Sequence, residues 1–308
     1  MKKLLIALLL IIAAAPVFSQ RKCAANEVLA LQMQTDPSIK TRMANIELST
    51  SKFVKGYSVV HAATAPIVIH VVVNVLYKTT AQNISNAQIA SQIAVLNADF
   101  AGTNIDYNTT PLLFQSVRSG NTGIRFVLDI VNRKSTTKTN WGTNDAMKKT
   151  TQGGLNPTSP TTKLNIWVCN IGGGILGYAQ FPGGSSATDG VVIDDNAFGN
   201  TGSAAYPFHK GRTATHEIGH WLNLRHIWGD ANCGNDFVGD TPLHGGPNFG
   251  CPGYPSNSSC TGTPVMMTMN YMDYTDDACM YMFSSGQKIR VLAVLTGTGT
   301  RKAYAQLR

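Results

Sequence analysis

Charge is scarce in this chain: Asp, Glu, Lys and Arg make up 14% of its 308 residues. The formal balance is +8, yet no run of Lys/Arg with interleaved aromatics occurs. Residues 1–55 hold eight Lys/Arg and three Asp/Glu, and the remainder holds 17 and 14. The excess therefore sits near the N-terminus, which argues against a nucleic-acid-binding face. Long apolar runs are also lacking, apart from the 12 residues 4–15. That run is too short for a membrane span. It follows Lys2 and Lys3 and leads to small residues, with Val17 and Ser19 at the minus-three and minus-one positions of a signal-peptidase site. Residues 1–19 thus read as a signal peptide, and the chain is expected to be secreted, without stable membrane insertion. No cysteine directly follows the small residues, which argues against a lipoprotein anchor, and no internal repeat is present.

Hydrophobic residues, at 43%, suffice for one large core or two smaller lobes. Residues 21–58 are polar and helix-prone, with Pro37 as a break and little to build a core alone. A linker follows, "YSVVHAATAP", and then "IVIHVVVNVLY" (67–77), dense in β-branched residues, reads as a buried strand. Ile89, Ile93, Leu96 and Phe100 share one helical face, with Ser85 as N-cap. Further strands are expected at 124–131, 163–171 and 190–195, and a helix near the C-terminus ending at Gly297. Four of six cysteines, Cys233, Cys251, Cys260 and Cys279, fall within 47 residues of Gly/Pro/Ser/Asn-rich chain. They read as two disulfides pinning irregular structure, with three connectivities open. Cys169, inside an apolar strand, reads as a buried free thiol. His61, His70, His209 and His244 have no motif around them and read as structural or surface residues.

The segment "HEIGHWLNLRH" concentrates the chemistry. His216 and His220 lie one helical turn apart and share a face, so their imidazoles can meet one metal. Glu217 projects beside that metal, where a base can take a proton from a water. Five residues alone also fit an amphipathic helix with surface histidines. His226 changes that balance: it lies six residues beyond His220, so the chain must leave the helix and fold back. Such a turn favours glycine at positive φ. Asn223 stands there instead, the side chain that tolerates this conformation best. Met272, 46 residues past His226 in "NYMDY", fits a methionine turn beneath the metal, with Tyr274 two residues on.

With these motifs the chain resembles the metzincin zinc endopeptidases, and among them the secreted, ulilysin-like pappalysins. The resemblance extends through "RKCAANEVL", "LNIWVCNIGGGILGYAQFPGG", "TDGVVID", "GDTP" and "NYMDYTDDACMYMFSSGQ". It implies an α+β, two-lobed catalytic domain over residues 59–308. A twisted mixed five-stranded sheet and the zinc helix form the upper lobe, to about residue 222. An irregular lower lobe, 223–308, carries the Met-turn and a C-terminal helix. His216, His220 and His226 would hold catalytic Zn²⁺, with a water as fourth ligand and Glu217 as general base and acid. Tyr274 would stabilise the oxyanion. Leu164, Asn165, Ile166, Trp167, Val168 and Cys169, followed by a glycine-rich stretch, would match the edge strand that binds substrate.

Residues 20–58 would be a pro-segment whose Cys23 ligates the zinc in a latent form, although Ala24 stands where the family carries glycine. Lys52 and Lys55 offer basic cleavage points for its removal. The resemblance pairs Cys233 with Cys260 and Cys251 with Cys279. It also points to structural Ca²⁺ at "NDFVGDTP", through Asp236, Val238, Asp240 and Thr241. The expected function is a zymogenic, zinc-dependent, monomeric endopeptidase acting on peptides or proteins. Asp276 and Asp277 lie near the candidate pocket wall, beside the neutral Ala278. Two other readings are a binding or adhesion protein that keeps a zinc site, and a hydrolase of non-peptide amides. Glu217, of no use to a structural site, weighs against the first.

Overall fold

The computed structural model describes residues 20–57 and 66–307. The expected signal peptide and residues 58–65 of the expected linker lie outside the described residues. The polar N-terminal segment forms α1 (Ala25–Thr35) and α2 (Ser38–Gly56), separated at Pro37, which lacks the N–H that a continuous helix needs. Lys52 and Lys55 fall inside α2. Their helical backbone is unsuited to an extended-chain protease, so they are poor cleavage points as they stand.

The β-branched run forms β1 (Ile67–Tyr77). Next comes α3 (Asn86–Ala101), capped by the Ser85 side chain, which accepts the Gln88 N–H, and closed by Gly102 at φ 63°. A short α4 (Leu112–Gln115) leads to β2 (Ile124–Ser135). β3 (Leu164–Cys169), β4 (Gly177–Ala179) and β5 (Val191–Asp194) complete the sheet's main row. α5 (Arg212–Trp221) and α6 (Ser285–Leu295) follow, and β6 (Gln306–Leu307) adds a two-residue strand at the C-terminus.

Five strands run in the order β2-β1-β3-β5-β4. Four are mutually parallel, and β4 is antiparallel to β5. β6 pairs antiparallel with the start of β1, so the last residues of the chain return to the upper sheet. The sheet, α3, α5 and α6 enclose one apolar core in which Phe100, Phe126, Ile166, Trp221, Tyr271 and Met272 are all buried. From residue 223 the chain is mostly irregular until α6. That helix opens with a reciprocal cap between Ser284 and Gln287.

One expectation is overturned here. Residues 164–169 do not form the free edge. β3 lies between β1 and β5, hydrogen-bonded on both sides, with all six residues buried. Leu164, Asn165, Ile166, Trp167, Val168 and Cys169 are therefore interior. β4, in the glycine-rich stretch that follows, ends the row on this side, and β2 ends it on the other. A run of apolar residues without alternation marks a strand covered on both faces, and an edge strand is often short.

Candidate metal centre

All ten residues of α5 are buried. Arg212 fastens its start, donating to both Asp106 carboxylate oxygens at 2.6 and 2.7 Å and to the carbonyls of Asp277 and Met280. Helical spacing then sets His216 and His220 on one side. The helix ends at Trp221, and Asn223 sits at φ 72°, the left-handed geometry its sequence position called for. The Leu224 N–H reaches back to the Gly219 carbonyl at 2.9 Å, and the chain folds His226 into line with the other two. Nε2 of His220 lies 3.2 Å from Nε2 of His216 and 3.1 Å from Nε2 of His226.

Each remaining ring nitrogen has its own partner. Nδ1 of His216 meets the Tyr271 carbonyl at 2.6 Å, Nδ1 of His220 the Leu224 carbonyl at 2.8 Å, and Nδ1 of His226 the Asp230 carboxylate at 2.5 Å. Protons on Nδ1 leave three Nε2 lone pairs converging. Burial and the neighbouring imidazoles hold His216 and His220 well below the ordinary histidine pKa, so both are neutral. The sulfur of Cys23 completes a set of four donor atoms within 4.8 Å of one another, all on buried residues. Ligands about 2.0–2.3 Å from a tetrahedral zinc would lie roughly 3.3–3.8 Å apart, so the donor set has the chemistry and compactness that zinc requires.

Glu217 turns its carboxylate to the same point, and the Cys23 thiol contacts Oε2 at 3.4 Å. Burial raises the Glu217 pKa to about 8 in this covered state. Met272 lies against the underside of α5: a Cβ built on Gly219 would come within 2.4 Å of the Met272 sulfur. That contact explains the glycine inside "HEIGH". The Tyr274 hydroxyl donates to the Cys23 carbonyl at 3.2 Å, and its ring meets that of His226 edge-on at 4.9 Å.

The N-terminal segment runs through the cleft as an added strand. Cys23 pairs in parallel with Gly177 of β4. Ala24 N–H donates to the Gly177 carbonyl at 3.0 Å, and Leu176 N–H donates to the Lys22 carbonyl at 2.9 Å. Gly177 is required here, because a Cβ would meet Glu217 Cγ and the Val192 carbonyl at 2.9 Å. Two residues before Cys23, Arg21 enters a buried pocket. It donates to Asp277 at 2.5 Å, to Thr213 Oγ1 and the Thr275 carbonyl at 3.1 Å, and it lies over the Phe208 ring. Asp277 is buried and Ala278 exposed, so the acidic residue makes the pocket floor. Farther along, Glu47 of α2 forms a two-pronged ion pair with buried Arg290 of α6, both contacts at 2.8 Å.

Both expected disulfides are present, Cys233–Cys260 and Cys251–Cys279, while Cys23 and Cys169 are free and buried. In the 236–241 loop, Asp236 accepts from Thr241 Oγ1 and the Val238 N–H. Asp240 accepts from Ser284 Oγ and the Gly286 N–H, and so caps α6. Among the described residues no helix is long and apolar enough to cross a membrane. Sequence reasoning missed the roles of Arg21, Gly177 and Asp230. Arg21 had a signal in its spacing from Cys23, whereas Gly177 and Asp230 acquire meaning only through contacts.

Comparison with known proteins agrees with this geometry. Residues 162–296 match the family model described as pregnancy-associated plasma protein-A, a peptidase family. An extracellular metalloprotease of Pyricularia oryzae is 33% identical over 239 residues, 75% of this chain and 74% of its own length. Extracellular metalloprotease 1 of Coccidioides posadasii is 32% identical over 213 residues, 68% of each chain. Among solved structures, a promirolysin mutant from Tannerella forsythia is 43% identical, with TM-score 0.83, covering 92% of this chain and 97% of that one. Mature mirolysin in complex with a cleaved peptide is 46% identical, with TM-score 0.75, covering 78% of this chain and 96% of that one. The chain therefore belongs to the pappalysin family of metzincins and is a secreted, zymogenic zinc endopeptidase.

Proposed function

We propose that His216, His220 and His226 hold the catalytic zinc and that Glu217 is the general base and acid of peptide hydrolysis. The observation that carries this reading is the convergence of three Nε2 atoms on one point beside the Glu217 carboxylate. Zinc, when bound, supplies Lewis acidity that acidifies a water molecule and polarises the scissile carbonyl. Glu217 takes the proton of the attacking water and returns it to the leaving amine. Tyr274 offers its hydroxyl to the oxyanion, and its present bond to the Cys23 carbonyl supports that reach. A substrate peptide pairs with β4, as Cys23 and Ala24 do in the covered state. The Asp277 pocket, now filled by Arg21, suits a long cationic side chain.

Residues 20–58 act as the pro-segment, with Cys23 as the fourth zinc ligand of the latent enzyme, and residues 59–308 form a monomeric catalytic domain. The parts of that domain are an upper lobe to about residue 222 and a lower lobe over 223–308, with Met272 supporting the zinc helix from below. Calcium at Asp236, Val238, Asp240 and Thr241 is supported by the buried Asp236 carboxylate, whose pKa burial raises to about 6 and which a cation would relieve. The decisive test is Glu217→Ala in the full chain. Cleavage of a denatured protein should fall by about 10²–10⁴-fold or more while one zinc per chain is retained. Undiminished cleavage by that variant would overturn the assignment.

A further inference from the structure

Two of the three histidines are oriented by backbone carbonyls, which no substitution at those positions would remove. His226 alone depends on a side chain. Asp230 Oδ1 lies 2.5 Å from His226 Nδ1, four residues on. The chain is bent to deliver it. Gly229 is at φ 62° and Asp230 at φ 60°. A Cβ at Gly229 would come within 2.2 Å of the Asn235 nitrogen, so the turn admits only glycine. On its other side the His226 ring stacks on Trp228, at 4.3 Å between centroids and 7° between planes. Trp228 is itself buried against Ile227, Met267 and Met269. The stack fixes the plane of the ring and the carboxylate fixes its rotation within that plane.

We infer that Asp230 is a positioning residue for the third ligand: it holds the Nδ1–H tautomer of His226 and aims Nε2 at the metal. A carboxylate behind an imidazole also makes the ring a better donor. This inference rests on the reading of His226 as a zinc ligand. It also gives the N-terminal segment a hold on the centre beyond the Cys23 sulfur. The Asn26 side-chain amide lies 3.4 Å from His226 Nδ1 and hydrogen-bonds the Asp230 carboxylate as well. The covered state thus reads the shell behind the ligand as well as the open position in front of it.

The test is zinc affinity, measured by chelator competition on the full chain in a Glu217→Ala background that cannot process itself. Asp230→Ala should weaken zinc by about 10–100-fold, and Asp230→Asn, which keeps an acceptor oxygen in place, should recover most of that loss. Asp230→Asn, which also suits the left-handed turn at φ 60°, should leave the melting temperature of the metal-free protein unchanged, whereas Asp230→Ala should lower it by no more than the cost of an alanine at positive φ. His226→Ala is the reference arm. If His226→Ala retains full affinity, the ligand assignment itself fails. If His226→Ala loses zinc while Asp230→Ala stays within threefold of the parent, the positioning role alone is overturned.

Discussion

The chain before and after residue 222 solves the same problem by different means. Above, the order comes from repeated pattern: strands β1, β3 and β5 are almost wholly buried, and α5, buried along its whole length, packs against β4, β5 and α3. Below, there is little regular structure to repeat. Among the described residues, five of the seven non-glycine residues at positive φ lie there: Asn223, Asp230, Cys233, Phe237 and Thr263. Two disulfides cross it. Buried side chains replace the ladder bonds of a sheet. Asp273 accepts from the Asn248 backbone and amide and from the Tyr274 N–H, each at 2.8 Å. His244 Nε2 accepts from the Met267 N–H at 3.0 Å, and Asn270 exchanges two bonds with Gln287. A lobe held by apolar area tolerates sequence drift that preserves volume. A lobe held by particular bonds fails when one of them goes.

The sharpest way to break this contrast is to remove Cys251–Cys279, which ties the 251 segment to the pocket floor beside Asp277. Replacing both cysteines by serine should cost about 3–4 kcal/mol for a loop of this length. Limited proteolysis should then cut within 244–263 before it touches the upper sheet. Simultaneous cleavage of both lobes would mean that they share one cooperative unit.

A smaller effect should appear with pH. Burial lowers the His244 pKa to about 4 from its ordinary 6.5. The unfolded chain then binds the extra proton first, so this group's contribution to stability is present above about pH 6.5 and is lost as pH falls toward 4. Integrated, the loss approaches about 3 kcal/mol. Asp273 faces His244 at 3.7 Å and is raised to about 7 by burial, so it contributes with the opposite sign over the same range. The measurement is therefore a difference: urea midpoints of wild type and His244→Gln, compared at pH 7 and pH 4.5. The gap between them should narrow at the lower pH. A gap independent of pH would show that His244 titrates normally.

The smallest change is at Asn223. Its φ of 72° suits glycine, so Asn223→Gly should alter stability by no more than about 1 kcal/mol and leave zinc content intact. Asn223→Val, with a branched side chain at positive φ, should be clearly worse by thermal melting. Equal melting temperatures for the two would argue against the turn geometry.

How much was legible beforehand follows from the range of the interactions involved. The spacing of Ile89, Ile93, Leu96 and Phe100, the break at Pro37 and the cap at Ser85 are local, and each element appeared where its residues indicated. The histidine spacing was legible for the same reason, since a helix and one turn suffice to bring 216, 220 and 226 together. β4 escaped notice because three residues, Gly177, Tyr178 and Ala179, are too few to carry a periodic signal. The strand expected at the substrate edge was in fact interior, because strand order depends on which elements pair across about 100 residues and not on any one segment.

Alone, the sequence determined that His216, His220 and His226 come together with Glu217 beside them, and the turn at Asn223, because covalent spacing and backbone preference act within a few residues. Only the tertiary structure decided which strand lies at the edge beside the histidines, that Arg21 reaches Asp277 across 256 positions, and that Asp230 stands behind His226. Those outcomes depend on packing between distant segments, where a side chain's role is set by what the fold brings against it.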